Sequence, residues 1–152
     1  MLSFPLVLFT AIWQYIDMVC IYCGASTSVT NSRLQSKLNR VWRRRRCNEC
    51  NSIFTTLEAI DEQKSIMVLD NESLTPFSLD KLFISIYESC RHQDSAANNA
   101  RALTDTVLGK VLKTARLNPT ITKQDIQRAT YKTLQRFDNA AAVHYKAYYY
   151  KN

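Results

Sequence analysis

The sequence predicts an α+β protein, in which a small cysteine-rich β module precedes a mainly helical domain that contains a β-hairpin. Three observations lead to this class. Two Cys-x-x-Cys pairs stand near the start, apolar residues recur at three- and four-residue spacing in the second half, and only two glycines and three prolines occur among 152 residues. So little glycine and proline argues against a turn-rich all-β fold and for substantial helix.

The chain begins with an apolar segment, residues 1–17, that differs from everything after it. This segment contains no Lys or Arg, so it lacks the positive start of a secretory signal. Its apolar run is also shorter than the ~20 residues that span a bilayer. We therefore expect a misassigned or disordered extension, with translation starting at Met18, and a cytoplasmic protein without stable membrane association. An interfacial membrane anchor is the alternative.

Residues 18–60 are predicted to hold one metal ion. Cys20, Cys23, Cys47 and Cys50 form two pairs of equal spacing, and the segment between the pairs can loop out and bring four thiolates together. Four thiolates in a tetrahedral array suit a structural Zn²⁺, because such a site leaves no coordination position open. Iron, two redox pairs or unrelated cysteines are the alternatives. Cys90 falls on an apolar helical stripe and is expected to be a core residue.

The segment between the cysteine pairs concentrates positive charge. The chain has 20 Lys and Arg against 13 Asp and Glu, a formal charge of +7 that favours a polyanionic partner. Arginine suits bidentate contacts to phosphate and guanine. The alternative is a solvated strand edge on which charge discourages aggregation. The predicted DNA-contacting residues are Arg33, Arg40, Trp42, Arg43, Arg44, Arg45 and Arg46.

The cysteine module contains several short stretches suited to strands, such as residues 52–57, and a charged connection at 61–64 follows it. Residues 65–69 then suit a strand, 70–73 a turn, and 74–77 the partner strand of a hairpin. We expect no further strand downstream.

Four helices are predicted in the second half. Ser78 can cap the first, whose stripe from Leu79 to Cys90 is apolar. The second runs from about residue 94 to residue 116 and contains Gly109, which weakens it. Thr122 with Asp125 can start the third, and Asp138 can cap the fourth. The inward face of the third helix is predicted to consist of Ile126, Ala129, Thr133, Leu134 and Phe137.

Four motifs of the chain resemble those of one bacterial family. They are C-x-x-C-G at 20–24, N-S-R at 31–33, R-R-R-R-C-x-x-C at 43–50 and F-T-T-x-E at 54–58. Together they resemble NrdR, a family of repressors of ribonucleotide reductase operons with a zinc ribbon and an ATP-cone. The resemblance covers residues 18–152. It implies a DNA-binding zinc ribbon at 18–60 and an ATP-cone-like regulatory and oligomerisation domain at 64–152.

The same resemblance implies that ATP and dATP are effectors. P-F-x-x-x-K-L at 76–82 is similar to the family's pattern, and the implied nucleotide-binding residues are Val68, Phe77, Lys81 and Arg91. The chain departs from the family in the hairpin, where Asp70 stands in place of a lysine and Asn71 follows in place of a glycine turn. After the first helix, residues 92–95 replace a basic K-R-P-V segment.

The expected function is therefore a zinc-dependent repressor of ribonucleotide reductase genes. It would bind double-stranded promoter DNA as a homo-oligomer, associate with the bacterial nucleoid and respond to adenine nucleotides. Two histidines, no nucleophile elbow and a closed metal site give no reaction centre, so we expect no enzyme. One alternative is a constitutive zinc-ribbon nucleic-acid binder whose degenerate cone only oligomerises. The other is a nucleotide sensor that binds ribonucleotide reductase directly.

Overall fold

The structure is a computed structural model that describes residues 18–150. The expected extension at residues 1–17 lies outside the described residues. The chain divides into two compact units: of the described residues, 18–32 and 43–56 form the first, and 33–42 and 57–150 form the second. The sequence places the boundary near residue 60 and does not anticipate that residues 33–42 belong to the second unit. No helix within residues 18–150 is both long and apolar enough to cross a membrane.

One three-stranded sheet follows the first cysteine pair, and its second strand ends at Cys47. Its strands are β1 (Thr27–Gln35), β2 (Arg40–Cys47) and β3 (Ile53–Glu58), in the order β1-β2-β3. The strand predicted at 52–57 is thus confirmed as β3. The arginine run lies in β2, the central strand, so the strand-edge alternative for it is wrong. The buried apolar cluster of the first unit consists of Cys20, Cys47 and Phe54, with Ala25 packed against it.

A second three-stranded sheet lies in the second unit, in the order β5-β4-β6. It is preceded by the single-turn helix α1 (Glu62–Ser65), and its strands are β4 (Met67–Asp70), β5 (Ser73–Pro76) and β6 (Thr120–Thr122). β4 and β5 form the predicted hairpin, with Met67 opposite Pro76, and Asn71 occupies its turn with a φ of 54°. Asparagine tolerates this left-handed conformation, so it can replace glycine at the turn.

Two elements of this region differ from the prediction. α1 forms in the segment taken as a connection, because the Asp61 side chain accepts a hydrogen bond from the amide of Lys64 at 3.2 Å. β6 was not predicted. It has three residues and runs parallel to β4, with Val68 opposite Ile121. Such a short strand has no local signature, because its pairing partner lies far away in the sequence.

The four predicted helices are all present. They are α2 (Leu79–Cys90), α3 (Ala96–Ala115), α4 (Lys123–Phe137) and α5 (Asn139–Tyr148). Ser78, Thr122 and Asp138 accept hydrogen bonds from backbone amides of the helices that follow them, so all three predicted caps are confirmed. Each cap satisfies amides that have no partner within the helix.

The helices and the second sheet share one apolar core. Phe77, Ile86, Val107 and Leu134 are among its buried members, and Cys90 is fully buried as predicted. The predicted inward position of Phe137 is wrong. This residue is the last of α4 and its side chain is 46% exposed, so the buried stripe ends one turn earlier, at Thr133 and Leu134.

Gly109 allows the tip of the β1–β2 hairpin to approach α3 closely. A Cβ atom at this position would lie 3.3 Å from the carbonyl oxygen of Lys37 and 3.9 Å from the side chain of Leu38. Leu38 packs against the core of the second unit, and Arg40 forms a salt bridge of 3.0 Å with Asp105 of α3. Glycine at position 109 weakens the helix, but its lack of a side chain lets the backbone of residues 36–39 come close to α3.

We expect Gly109→Leu to displace this tip from α3. Overpacking costs about 1–3 kcal/mol, so the free energy of unfolding should fall by that amount. The amide of Leu38, which donates to the carbonyl oxygen of Gln35 at 3.1 Å, should then exchange hydrogen faster. Denaturant unfolding and hydrogen exchange measure the two effects.

Gly109→Ala is the matched control. Alanine stabilises a helix by about 1 kcal/mol relative to glycine. This gain offsets the cost of its Cβ contact with the carbonyl oxygen of Lys37, which is a few tenths of an ångström too short. Its stability should stay close to that of the parent protein. Equal stability and equal exchange of the Leu38 amide in both variants would contradict the close approach.

Candidate functional site

The four paired cysteines converge in the first unit. Their Sγ atoms all lie within 4.8 Å of one another, and they alternate buried and exposed along the chain. The Sγ atoms of Cys20 and Cys50 are 3.7 Å apart, and those of Cys23 and Cys47 are 3.4 Å apart. Zn–S bonds of about 2.3 Å in a tetrahedron require sulfurs about 3.8 Å apart. The donor set therefore fits one Zn²⁺, held by these four residues as a structural ion.

The two Cys-x-x-Cys loops have the same local geometry. Gly24, with a φ of 75°, and Asn51, with a φ of 59°, each follow the second cysteine of a pair in the left-handed region. The backbone amide of Cys20 donates to the carbonyl oxygen of Ala25 at 2.8 Å, and that of Cys47 donates to Ser52 at 2.9 Å. These bonds close each loop and direct both thiols of a pair to the same side.

Backbone amides of the loops also point at the sulfurs. The amide of Tyr22 donates to Cys20 Sγ at 3.4 Å, and the amides of Glu49 and Cys50 both donate to Cys47 Sγ at 3.4 Å. Hydrogen bonds of this kind stabilise negative charge on the acceptor. They therefore favour the thiolate form that a metal ion requires.

The thiols of the exposed cysteines differ in acidity. Hydrogen bonding with the hydroxyl and the backbone of Ser52 lowers the pKa of Cys50 to about 6. The backbone amide of Ala25 lowers the pKa of Cys23, but hydrogen bonds with the other thiols, Cys47 first, outweigh it and raise that pKa to about 12. Four thiolates repel one another without a cation, so metal binding releases protons from this cluster.

We expect Cys47→Ser to lose bound zinc and to unfold the first unit, because three buried apolar residues cannot hold a three-stranded sheet without the metal. Zinc content by mass spectrometry and hydrogen exchange of the β2 amides measure both effects, and a strong chelator should reproduce them in the parent protein. Cys90→Ala is the control, since this buried thiol lies in the core of the second unit. Loss of zinc from the control would contradict the assignment of the ligands.

The arginine run of β2 divides between two environments. Arg44 and Arg46 are exposed, Arg43 is half-buried, and Arg45 is only 7% exposed. The guanidinium of Arg45 donates to the hydroxyls of Thr27 and Thr56, each at 3.3 Å. Successive side chains of a strand point to opposite faces, which is why the four arginines separate. Arg45 is thus corrected from a DNA contact to an internal residue of the first unit.

The exposed arginines have hydroxyl groups beside them. The hydroxyl of Thr30 donates to the carbonyl oxygen of Arg44 at 3.1 Å, and that of Ser28 donates to the carbonyl oxygen of Arg46 at 3.5 Å. Ser28 and Thr30 are themselves exposed on β1. Guanidinium and hydroxyl groups together are the side chains that most often contact phosphates of a nucleic acid. This exposed group of the first unit is called the β2 arginine face below.

The remaining predicted DNA contacts lie in the second unit, at the hairpin tip. The guanidinium of Arg33 stacks over the ring of Trp42, 5.9 Å from its centroid, and Arg33 is exposed. Arg40 instead bonds to Asp105 at 3.0 Å and to Gln35 at 2.6 Å. The bond to Asp105 holds the tip on α3, so Arg40 stabilises the fold in this structure, and its contact with DNA stays a prediction.

Known proteins are similar to most of this chain. Residues 18–58 match the family described as "Transcriptional repressor NrdR-like, N-terminal domain". Transcriptional repressor NrdR of Pelotomaculum thermopropionicum is 29% identical over 133 residues, which cover 87% of this chain and 79% of that protein. Transcriptional repressor NrdR of a Streptococcus pneumoniae strain is also 29% identical, over 87% of this chain and 83% of its own. The chain is therefore similar to the NrdR repressors over most of its length. Its relatives are named as repressors, so the family is one of regulators and not of enzymes.

The second unit contains a cavity of about 310 Å³. This cavity is lined by Val68 of β4, by Phe77, which lies between β5 and α2, and by Lys81 of α2. The structure thus brings together three of the four residues implied as nucleotide contacts. Arg91 is not among the lining residues. It lies at the end of α2, where its guanidinium pairs with the carboxylate of Glu88 at 3.1 Å. The cavity volume lies at the lower end of the range for small-molecule sites.

The same cavity contains a lysine that was not predicted from the sequence. Lys123, the first residue of α4, lines the cavity together with Asp70, and its Nζ lies 2.6 Å from Asp70 Oδ2. A second cavity, of about 420 Å³, shares both residues and Gln127. The signal was the unexpected carboxylate at position 70, which has a lysine as its partner in the fold.

Proposed function

We propose that this protein is a zinc-dependent, DNA-binding transcriptional repressor of ribonucleotide reductase genes. The observation that carries this proposal is the β2 arginine face on a strand that ends at a zinc ligand, Cys47, in a chain that is similar to the NrdR repressors. The metal fixes the end of β2, so Arg44 and Arg46 approach DNA from a rigid strand. A fixed guanidinium loses less conformational entropy on binding than one on a mobile loop.

The repressor acts as a homo-oligomer in this proposal. One small basic module binds DNA with modest and salt-sensitive affinity, because most of its binding energy comes from phosphate contacts. Two or more modules joined in one assembly raise the effective concentration of each at its site. Such an oligomer would act on promoter DNA at the nucleoid of the bacterial cytoplasm.

Adenine nucleotides regulate the oligomer through the second unit. Support comes from the cavity that Val68, Phe77 and Lys81 line, since an ammonium at its edge can bind phosphate while the apolar side chains cover a base. ATP and dATP would favour different assemblies, and only one assembly would match the spacing of paired DNA sites. The zinc-ribbon half provides contact with DNA, and the cone-like half provides the response.

The Asp70–Lys123 ion pair favours a second candidate function. A carboxylate stands at the cavity where the family resemblance leads us to expect a lysine, and it holds the nearby Lys123 at 2.6 Å. Both effects weaken attraction for a triphosphate. The second candidate is therefore a constitutive DNA-binding repressor whose cone-like unit only oligomerises.

We expect the zinc-loaded chain to bind promoter DNA of its host's ribonucleotide reductase genes more tightly than random duplex DNA. Arg44→Gln combined with Arg46→Gln should weaken this binding at least tenfold, because each lost arginine contact costs about 1–3 kcal/mol. Fluorescence anisotropy at fixed salt measures the affinities.

Arg101→Gln combined with Lys146→Gln removes the same charge from exposed positions elsewhere, on α3 and α5, and is the matched control. Its affinity should stay within about twofold of that of the parent protein, as expected for charges that do not touch DNA. If both double variants lost DNA affinity equally, the loss would reflect total charge and not a contact made by the β2 arginine face. Binding of the parent protein that does not distinguish promoter from random DNA would refute the repressor proposal.

Lys81→Gln should weaken binding of ATP and dATP about tenfold or more, since a charge-assisted hydrogen bond to phosphate contributes about 1.5–3 kcal/mol. Arg91→Gln is the control, because Arg91 pairs with Glu88 away from the cavity, and it should leave nucleotide affinity unchanged. Calorimetry measures the affinities, and promoter binding is compared with ATP, with dATP and with neither. Promoter binding that is the same in all three conditions would select the constitutive repressor.

A further inference from the structure

A third cavity in the second unit lies between the hairpin tip and α3. Its volume is about 470 Å³, and its lining includes four cationic side chains, those of Lys37, Lys110, Lys113 and Arg116. Gly109 also lines it, and a Cβ atom at this position would lie 3.3 Å from the carbonyl oxygen of Lys37. This third cavity is called the α3 cleft below. It is separate from the two cavities that contain Lys123, because no lining residue is shared.

The charges of the α3 cleft are unbalanced. Among the described residues that line it, Asp105 is the one acidic residue, and its carboxylate already pairs with Arg40 at 3.0 Å. Lys37, Lys113 and Arg116 are exposed, and none of them forms a salt bridge within residues 18–150. Cations that converge on a cleft without neutralising partners attract an anion.

Lys110 adds a fixed cation at the edge of the cleft. Its Nζ donates to the hydroxyl of Thr133 at 2.6 Å, so α4 holds the ammonium in place. Burial, followed by the positive charges of Arg136 and Lys132, lowers the pKa of Lys110. The neighbouring charges that act on Lys110 are thus cations of α4. An incoming anion would relieve this repulsion.

The shape of the α3 cleft selects the kind of anion. Its cations extend along α3 from residue 110 to residue 116, a distance of about 9 Å at 1.5 Å per residue. A row of this length matches a chain of phosphates better than one compact phosphate group. No aromatic side chain occurs in the described lining, so nothing there would stack on a nucleobase.

We propose that the α3 cleft binds the phosphodiester backbone of DNA, as a sequence-independent contact made by the second unit. This inference rests on the proposed function, because it assigns a second contact to the same partner. The cleft would neutralise phosphates without reading bases, so it would add affinity and salt dependence but no sequence preference.

The test compares three forms of the full-length, zinc-loaded protein: the parent, Lys113→Gln with Arg116→Gln, and the Arg101→Gln with Lys146→Gln control. The affinity of each for a promoter duplex and for a random duplex is measured from 50 to 300 mM NaCl. Each lost phosphate contact lowers the slope of log K against log [salt] by about 0.9, so the cleft variant should lose about 1.8 on both duplexes. The control should keep the parent slope.

Several outcomes would overturn the inference, and they can be told apart. An unchanged slope in the cleft variant, with parent binding that still depends on Arg44 and Arg46, refutes the cleft contact and leaves the repressor intact. A parent protein that binds neither duplex refutes both proposals. Loss of ATP binding by calorimetry, with an unchanged DNA slope, would make the cleft a nucleotide site instead. Thermal unfolding of each form verifies that the exposed substitutions leave the fold unchanged.

Discussion

The fold of the first unit depends on four thiolates being held together. Apart from Cys20 and Cys47, which are ligands, the buried apolar cluster of its described residues 18–32 and 43–56 contains only Phe54. Hydrophobic burial on that scale does not offset the conformational entropy of a three-stranded sheet. The Zn–S bonds therefore supply most of the folding free energy. Because β2 ends at one of the ligands, the metal that stabilises the sheet also determines where Arg44 and Arg46 are presented.

The second unit is stabilised by different forces. Its helices and small sheet bury a continuous apolar core, and side-chain caps at Ser78, Thr122 and Asp138 begin three of its helices. Residues 33–42 belong to this unit, so the tip of the β1–β2 hairpin takes its stability from helix packing and the Arg40–Asp105 pair. One hairpin thus has a metal-dependent part and a core-dependent part, and the chain passes between the units three times.

Features that depend on local pattern were predictable from the sequence. The cysteine spacing, the three helix caps and the β4–β5 hairpin all have signatures within a few residues. Helix α1 was missed although its Asp61 cap is local, whereas the missed ion pairs join distant residues: Arg40 and Asp105 are 65 positions apart, and Asp70 and Lys123 are 53 apart. Local periodicity carries no information about such pairs. The burial of Arg45 is a different case, because strand alternation already indicates that adjacent arginines face opposite sides.

At the cavity, the carboxylate of Asp70 competes with any bound phosphate for the ammonium of Lys123. A phosphate that approaches the Lys123 ammonium meets an oxygen already 2.6 Å away, and it binds only the fraction of molecules in which the carboxylate has moved aside. The side chain of Lys123 is 51% exposed and that of Asp70 is 41% exposed. Solvent screening therefore limits the strength of the pair to about 1 kcal/mol. That energy raises the ligand concentration for half-saturation about fivefold. Under the proposed nucleotide regulation, a carboxylate at this turn would shift the response to higher nucleotide concentrations without abolishing it.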